Sequence, residues 1–178
     1  EGKLDQFNQT QADIDMLFFG QRRLNNTLNW VSPEMGAITV KVQAAPGEGA
    51  NAAGETKDGL VDTLGASLTF AQDNVFAALA FERSFLGTTI FDPLLLAPNT
   101  VDVISDTMTA RASAGLQLDG GIELGAIVEW LEVDPQLSGA DKGDAMSFLL
   151  SGKVKANERL DLKAQVGMLD SNDFDTDL

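Results

Sequence analysis

The feature that most limits what this chain can become is a two-residue alternation of apolar and polar side chains, sustained over long stretches. In 37–45, Ile38, Val40, Val42 and Ala44 alternate with Thr39, Lys41 and Gln43. In 108–118, Met108, Ala110, Ala112, Ala114, Leu116 and Leu118 alternate with Thr109, Arg111, Ser113, Gly115 and Gln117. The same rhythm marks 63–70, 122–130, 146–156 and 160–168, and, less cleanly, 24–32 and 75–85. A period of two sends successive side chains to opposite faces of a strand and cannot keep one face of a helix apolar. The eight candidate strands run to about nine to eleven residues each, the length a tilted strand needs to cross a bilayer; globular strands are nearer five or six. A one-residue slip would turn every apolar row onto the wrong face, so the pattern also fixes register.

The connections alternate short and long. Ser32 to Gly36, Gln72 to Asn74, Asp119 to Gly121 and Asn157 to Arg159 have the Gly, Asn, Asp and Pro content of tight turns. Between them lie 46–60, 86–107 and 133–143. Short turns at one end and long loops at the other are the signature of outer-membrane barrels. The long loops, the leader 1–23 and the tail 170–178 hold 16 of the 27 acidic residues and five of the 12 basic ones. Trp30 and Phe70 stand near short turns, and Phe85 and Trp130 near long loops, as two interfacial girdles would require.

Composition then removes whole classes of function. With a formal charge of −15 over 178 residues, the chain offers no basic surface to displace counterions, so nucleic acid is not an expected partner. It has no Cys and no His. That excludes a disulfide scaffold, a thiolate zinc site, the Ser-His-Asp arrangement and the HExxH motif. An enzyme, a metal site and a cofactor are therefore not expected. No apolar run approaches the ~18–20 residues of a membrane helix, and the chain opens on polar residues rather than a signal peptide. A membrane reading must come from strands.

The first and last strands meet short turns, so the leader and the tail fall on the long-loop side. A complete bacterial barrel has both ends on the other side, and an interior portion of a larger barrel is expected here. The stretch Arg23-Leu24-Asn25-Asn26-Thr27-Leu28-Asn29-Trp30-Val31-Ser32-Pro33-Glu34-Met35-Gly36 resembles the trimeric general porins of Gram-negative outer membranes. In their proteobacterial branch an Arg, an Asn-Ser/Thr pair, an aromatic residue and Ser-Pro-x-x-Gly follow the constriction loop. The segment from Leu150-Ser151-Gly152-Lys153 to Leu162-Lys163-Ala164-Gln165-Val166-Gly167 is similar to a later hairpin of such porins. Val166 stands where an aromatic is common, and the chain has no Tyr.

The resemblance implies an all-β fold, an antiparallel transmembrane β-barrel of about sixteen strands, of which this chain supplies about eight. It implies one domain in three parts: 1–22 folded into the lumen as a constriction segment, 23–169 as strands, and 170–178 as an acidic extracellular loop. In that family, carboxylates on the inner loop face basic residues on the wall. Here Asp13 and Asp15 are the acidic candidates, and Arg22, Arg23, Lys41 and Arg111 the basic ones. The polar rows supply the expected lining: Thr39, Lys41, Gln43, Thr109, Arg111, Glu123, Glu129, Lys153, Lys155, Asp161 and Lys163.

The function so implied is passive diffusion of ions and small hydrophilic solutes through a homotrimeric outer-membrane channel, in contact with lipid and lipopolysaccharide. The acidic mouth predicts a weak preference for cations. The tail from Asp170 to Asp177 has the composition of a calcium loop but lacks the Gly and terminal Glu of an EF-hand. The Gly-rich 46–51 lacks the Lys of a phosphate loop. Two other readings stay open at this point. One is a substrate-specific channel, which an aromatic ladder along the lumen would favour. The other is a soluble β-protein with one wet face.

Overall fold

The computed structural model describes residues 18, 27–33, 35–46, 62–85, 105–135 and 142–172. The described chain contains eight strands and no helix. They are β1 (Leu28–Val31), β2 (Ile38–Ala45), β3 (Thr63–Gln72), β4 (Val75–Ser84), β5 (Ser105–Leu118), β6 (Ile122–Pro135), β7 (Gly143–Asn157) and β8 (Leu160–Asn172). They form a single antiparallel sheet in which each strand pairs with its neighbours in sequence, in the order β1 to β8. The two end strands are not joined to each other, so the sheet is open.

The tight turns follow their residues. Asp73 takes a positive φ of 50° between β3 and β4, and Gly120 and Gly121 take 80° and 77° between β5 and β6. At Gly121 an added Cβ would also lie 2.8 Å from the Cβ of Lys155 on β7, so only glycine fits. The Arg159 amide donates to Asn157 Oδ1 at 2.9 Å, an Asx turn that closes the β7–β8 hairpin.

Register carries the apolar rows across the sheet, with a bulge between Lys155 and Asn157 beside the β7–β8 turn. Val42 pairs with Ala66, Ala66 with Phe81, Phe81 with Ala110, Ala110 with Trp130, Trp130 with Met146. The row thus occupies one face, called the outer face below. Its large side chains are exposed: Leu79 59%, Leu150 61%, Leu162 58% and Val166 65%. The other face, the inner one, holds the enclosed residues, among them Thr109, Ile127, Glu129, Leu131, Val133, Ser147, Leu149 and Ser151. The relation between polarity and burial is the reverse of that in a water-soluble sheet.

Several strands extend past the apolar rows that predict them. β6 continues beyond Trp130 to Pro135, β5 begins at Ser105, and β7 begins at Gly143. The connection expected over 133–143 is therefore reduced to 136–142. Trp130 lies inside a strand rather than at its end. β8 runs to Asn172, so Asp170 belongs to a strand and not to a tail loop. The reason is visible on the outer face. Above Trp130 and Met146 the outer positions become charged, with Asp106 opposite Asp134 and Glu132 opposite Asp144. The backbone ladder continues where the apolar row stops. At the other end of the sequence, β1 is shorter than the alternation over 24–32; positions 24–26 lie outside the described residues.

Candidate functional site

The inner face between β5 and β8 gathers the charges. Arg111 on β5 stands directly opposite Glu129 on β6. Arg111 Nε donates to Glu129 Oε2 at 2.6 Å, and a terminal guanidinium nitrogen reaches the same oxygen. The Glu129 side chain is 1% exposed and that of Arg111 15%, so the pair is enclosed. An enclosed carboxylate is tolerable because the opposed guanidinium supplies both charge and hydrogen bonds.

A second pair lies toward the short turns. Lys153 on β7 faces Glu123 on β6 and donates to its Oε1 at 2.6 Å. This pair is half open to solvent. Lys163 on β8 stands opposite Lys153, and Asp161 opposite Lys155. Along the β7–β8 hairpin these inner positions thus carry three lysines and one carboxylate, with Lys153 and Lys163 opposed as like charges. Beyond the other end of β7, Lys142 pairs with Asp134 at 2.7 Å. The hydrogen bond to Asp134, and then the charge of that carboxylate, hold the Lys142 ammonium above the ordinary lysine range.

Every expected lining residue among those described sits on the inner face. Thr39, Lys41 and Gln43 reach it from β2, opposite Thr69, Ser67 and Gly65. Thr109 and Arg111 come from β5, Glu123 and Glu129 from β6, Lys153 and Lys155 from β7, and Asp161 and Lys163 from β8. Their surroundings differ. Lys41, Lys155, Asp161 and Lys163 are exposed, whereas Thr109 and Glu129 are buried. Of the constriction candidates, Lys41 and Arg111 are placed; Asp13, Asp15, Arg22 and Arg23 lie outside the described residues.

One feature of this face was not anticipated. Ile127 and Leu149, directly opposite one another in positions the alternation assigns to water, are 5% and 1% exposed and form an apolar cluster. Phe76 and Phe18 pack against it. The Arg111 guanidinium lies 5.3 Å from the centre of the Phe18 ring, within cation–π range. The signal that could have located this spot is the run of apolar residues in the polar phase: Phe76, Ile127, Leu131, Val133 and Leu149. Such residues belong on a wall that something covers.

Among the described residues no group of His, Cys, Asp or Glu is placed to hold a metal ion. The chain matches no family model, no curated protein and no solved structure.

Proposed function

We propose that this chain is a sector of a porin of the Gram-negative outer membrane, a barrel through which ions and small hydrophilic solutes diffuse passively. One observation carries the reading. Seven successive strand pairings keep exposed apolar side chains on one face and the enclosed ones, with the Arg111–Glu129 pair, on the other, and the outer face turns charged only toward the long-loop end. Water gives no reason to leave Leu79, Leu150, Leu162 and Val166 more than half exposed on one face; hydrocarbon does. The apolar row of β6, from Ile122 to Trp130, measures about 26 Å along the strand at ~3.3 Å per residue, which a tilt of about 35–45° turns into roughly 19–22 Å of height, comparable with the apolar band of about 25 Å in such barrels. The charged belt at Asp106, Glu132, Asp134 and Asp144 begins just beyond it.

In hydrocarbon an unpaired sheet edge is not tolerated, so this reading requires β1 and β8 to be joined to further strands. The inner face then borders water. Solutes follow their gradient, sorted by the width of the lumen and by the field of its charges. The excess of acidic groups concentrates cations locally and gives them a weak preference. The homotrimeric state and contact with lipopolysaccharide follow from the resemblance to general porins.

The absence of cysteine makes the proposal testable. A cysteine placed at Lys41 or Lys163 is expected to react with a water-soluble maleimide in membranes, and one at Leu150 or Val166 is not. The opposite pattern, or a monodisperse protein without detergent, overturns the membrane reading. Ion-conducting steps in a planar bilayer are expected, and an anion-selective reversal potential in a salt gradient overturns the cation preference.

A further inference from the structure

Positive charge is scarce in this chain and unevenly placed. Of the 12 Lys and Arg, four (Lys153, Lys155, Arg159 and Lys163) fall in the β7–β8 hairpin between positions 153 and 163. Lys153, Lys155 and Lys163 stand on the inner face, with Lys153 and Lys163 directly opposite one another. Like charges so opposed destabilise an antiparallel pair. Their placement also suits a ligand with two or more acceptor oxygens, since the Cβ atoms of directly opposed residues are only about 4.5–5.5 Å apart. The neighbouring carboxylates are outnumbered. Glu123 on β6 accepts from Lys153 at 2.6 Å, and Lys153 stands between it and Lys163. Asp161 stands opposite Lys155. Three ammonium groups thus meet two carboxylates here, in a chain whose formal charge is −15. The next inner row runs Gly115, Gly125, Ser151 and Gln165 from β5 to β8. Two of these positions have no side chain and a third has only a hydroxymethyl group, which leaves room over the backbone beside Lys153. Lys163 is exposed and the Lys153 side chain is 22% exposed, so a solute on the inner side can reach both.

We propose that Lys153 and Lys163 form a binding site for a small oxyanion, a carboxylate or a phosphate, on the inner face near the short turns. The anion accepts hydrogen bonds from both ammonium groups and removes the repulsion between them. Lysine acts as a point charge on a flexible stem, so the site reads charge and acceptor oxygens rather than a fixed planar shape. Glu123 competes with the anion for Lys153 and keeps its hold weak, as the release of a passing solute requires. The consequence for transport rests on the porin reading: anionic solutes pause at this site in a channel whose acidic mouth favours cations. The binding itself does not rest on that reading.

Labelling and current keep the two apart. In the full chain, inorganic phosphate is expected to slow the acylation of Lys153 and Lys163 by a water-soluble succinimidyl ester several-fold, relative to chloride at equal ionic strength, as read by peptide mass spectrometry. Lys41, exposed on the same face but carried by β2, is expected to react at an unchanged rate. Acetate in place of phosphate separates the two ligand classes: protection by both salts supports a general oxyanion site, and protection by phosphate alone supports a phosphate site. Equal protection of Lys41, or none at either lysine of the pair, overturns the proposal. Lys163→Gln is expected to abolish the protection of Lys153, and Lys163→Arg, which keeps the charge, to retain it. Glu123→Gln removes the competing carboxylate and is expected to strengthen protection; if it weakens protection instead, Glu123 and Lys153 are a structural pair and the site is wrong. In planar bilayers, phosphate is expected to lower the current saturably in the native protein and not in Lys163→Gln. Protection in a protein that passes no current supports the anion site and overturns the porin reading. Current from a protein whose lysines phosphate does not protect does the reverse.

Discussion

Strands β7 and β8 lie side by side, paired over most of their length, and carry nearly the same alternation. Their surroundings are opposite. Along β7 the inner residues Ala145, Ser147, Leu149 and Ser151 are buried, and the outer Met146, Phe148 and Leu150 are exposed. Along β8 both faces are open: Lys163 and Gly167 inside, Leu162 and Val166 outside. Periodicity therefore decides which face a side chain takes. What encloses it is decided separately, by neighbouring strands and by whatever lies across the inner wall. Ser147 at 1% and Leu150 at 61% make the point within one strand, since hydrophobicity alone predicts the reverse.

The largest expected effect tests whether the inner wall under β6 and β7 is as enclosed as its burial indicates. Glu129→Ala leaves a largely enclosed guanidinium without its carboxylate, a loss of about 3–5 kcal/mol for a fully buried pair and less here because Arg111 keeps some exposure. Lys163→Ala, on the open β8, is expected within about 0.5 kcal/mol of the native protein. Denaturant unfolding followed by fluorescence of Trp30 and Trp130 measures both. Equal losses would erase the distinction between the two strands.

Adjacent leucines sharpen the comparison next. Leu149→Ala removes a side chain from a closed cluster and is expected to cost about 2–5 kcal/mol, the transfer term plus a cavity. On the porin reading, Leu150→Ala leaves no cavity, because lipid or detergent would fill the gap, and is expected to cost about 1–2 kcal/mol. A charged substitution separates lipid from water on the outer face. Leu150→Arg is expected to destabilise the protein by up to about 2–4 kcal/mol in a bilayer. On a surface facing water the same change is expected to stay within about 0.5 kcal/mol. Unfolding titrations in lipid vesicles distinguish these outcomes.

The sequence made the strands and their faces legible because a two-residue period has one structural meaning and the turns carried turn chemistry. Strand ends were less legible. The apolar row of β6 stops at Trp130, yet the backbone pairing of Glu132 and Asp134 with β5 does not depend on side-chain polarity. The inner charges were legible as a set but not as pairs, since the opposition of Arg111 to Glu129 and of Lys153 to Glu123 needs the register of β5, β6 and β7. Which residues of the inner wall receive Phe18 was not legible. Ile127 and Leu149 stand in a mainly polar phase, and only the register shows that they meet and that a distant aromatic residue lies against them.

The smallest expected effect concerns how β7 is tied to β6 on its long-loop side. Lys142 pairs with Asp134, and its ammonium is held above the ordinary lysine range. A group whose folded pKa is raised contributes stability that is fully present below its unfolded pKa and is lost as pH rises through the folded value. The native protein should therefore lose a small increment of stability in the alkaline range, above the ordinary lysine pKa. Lys142→Met should flatten that limb and leave stability at neutral pH little changed, because the Lys142 side chain is 61% exposed and water screens the pair. Added salt should shrink the difference between the two proteins further. Thermal unfolding across the alkaline range, with both proteins side by side, checks the sign: a native protein that gains stability there, or a Lys142→Met variant with the same alkaline slope, removes this tether from the account of how β7 is tied to β6.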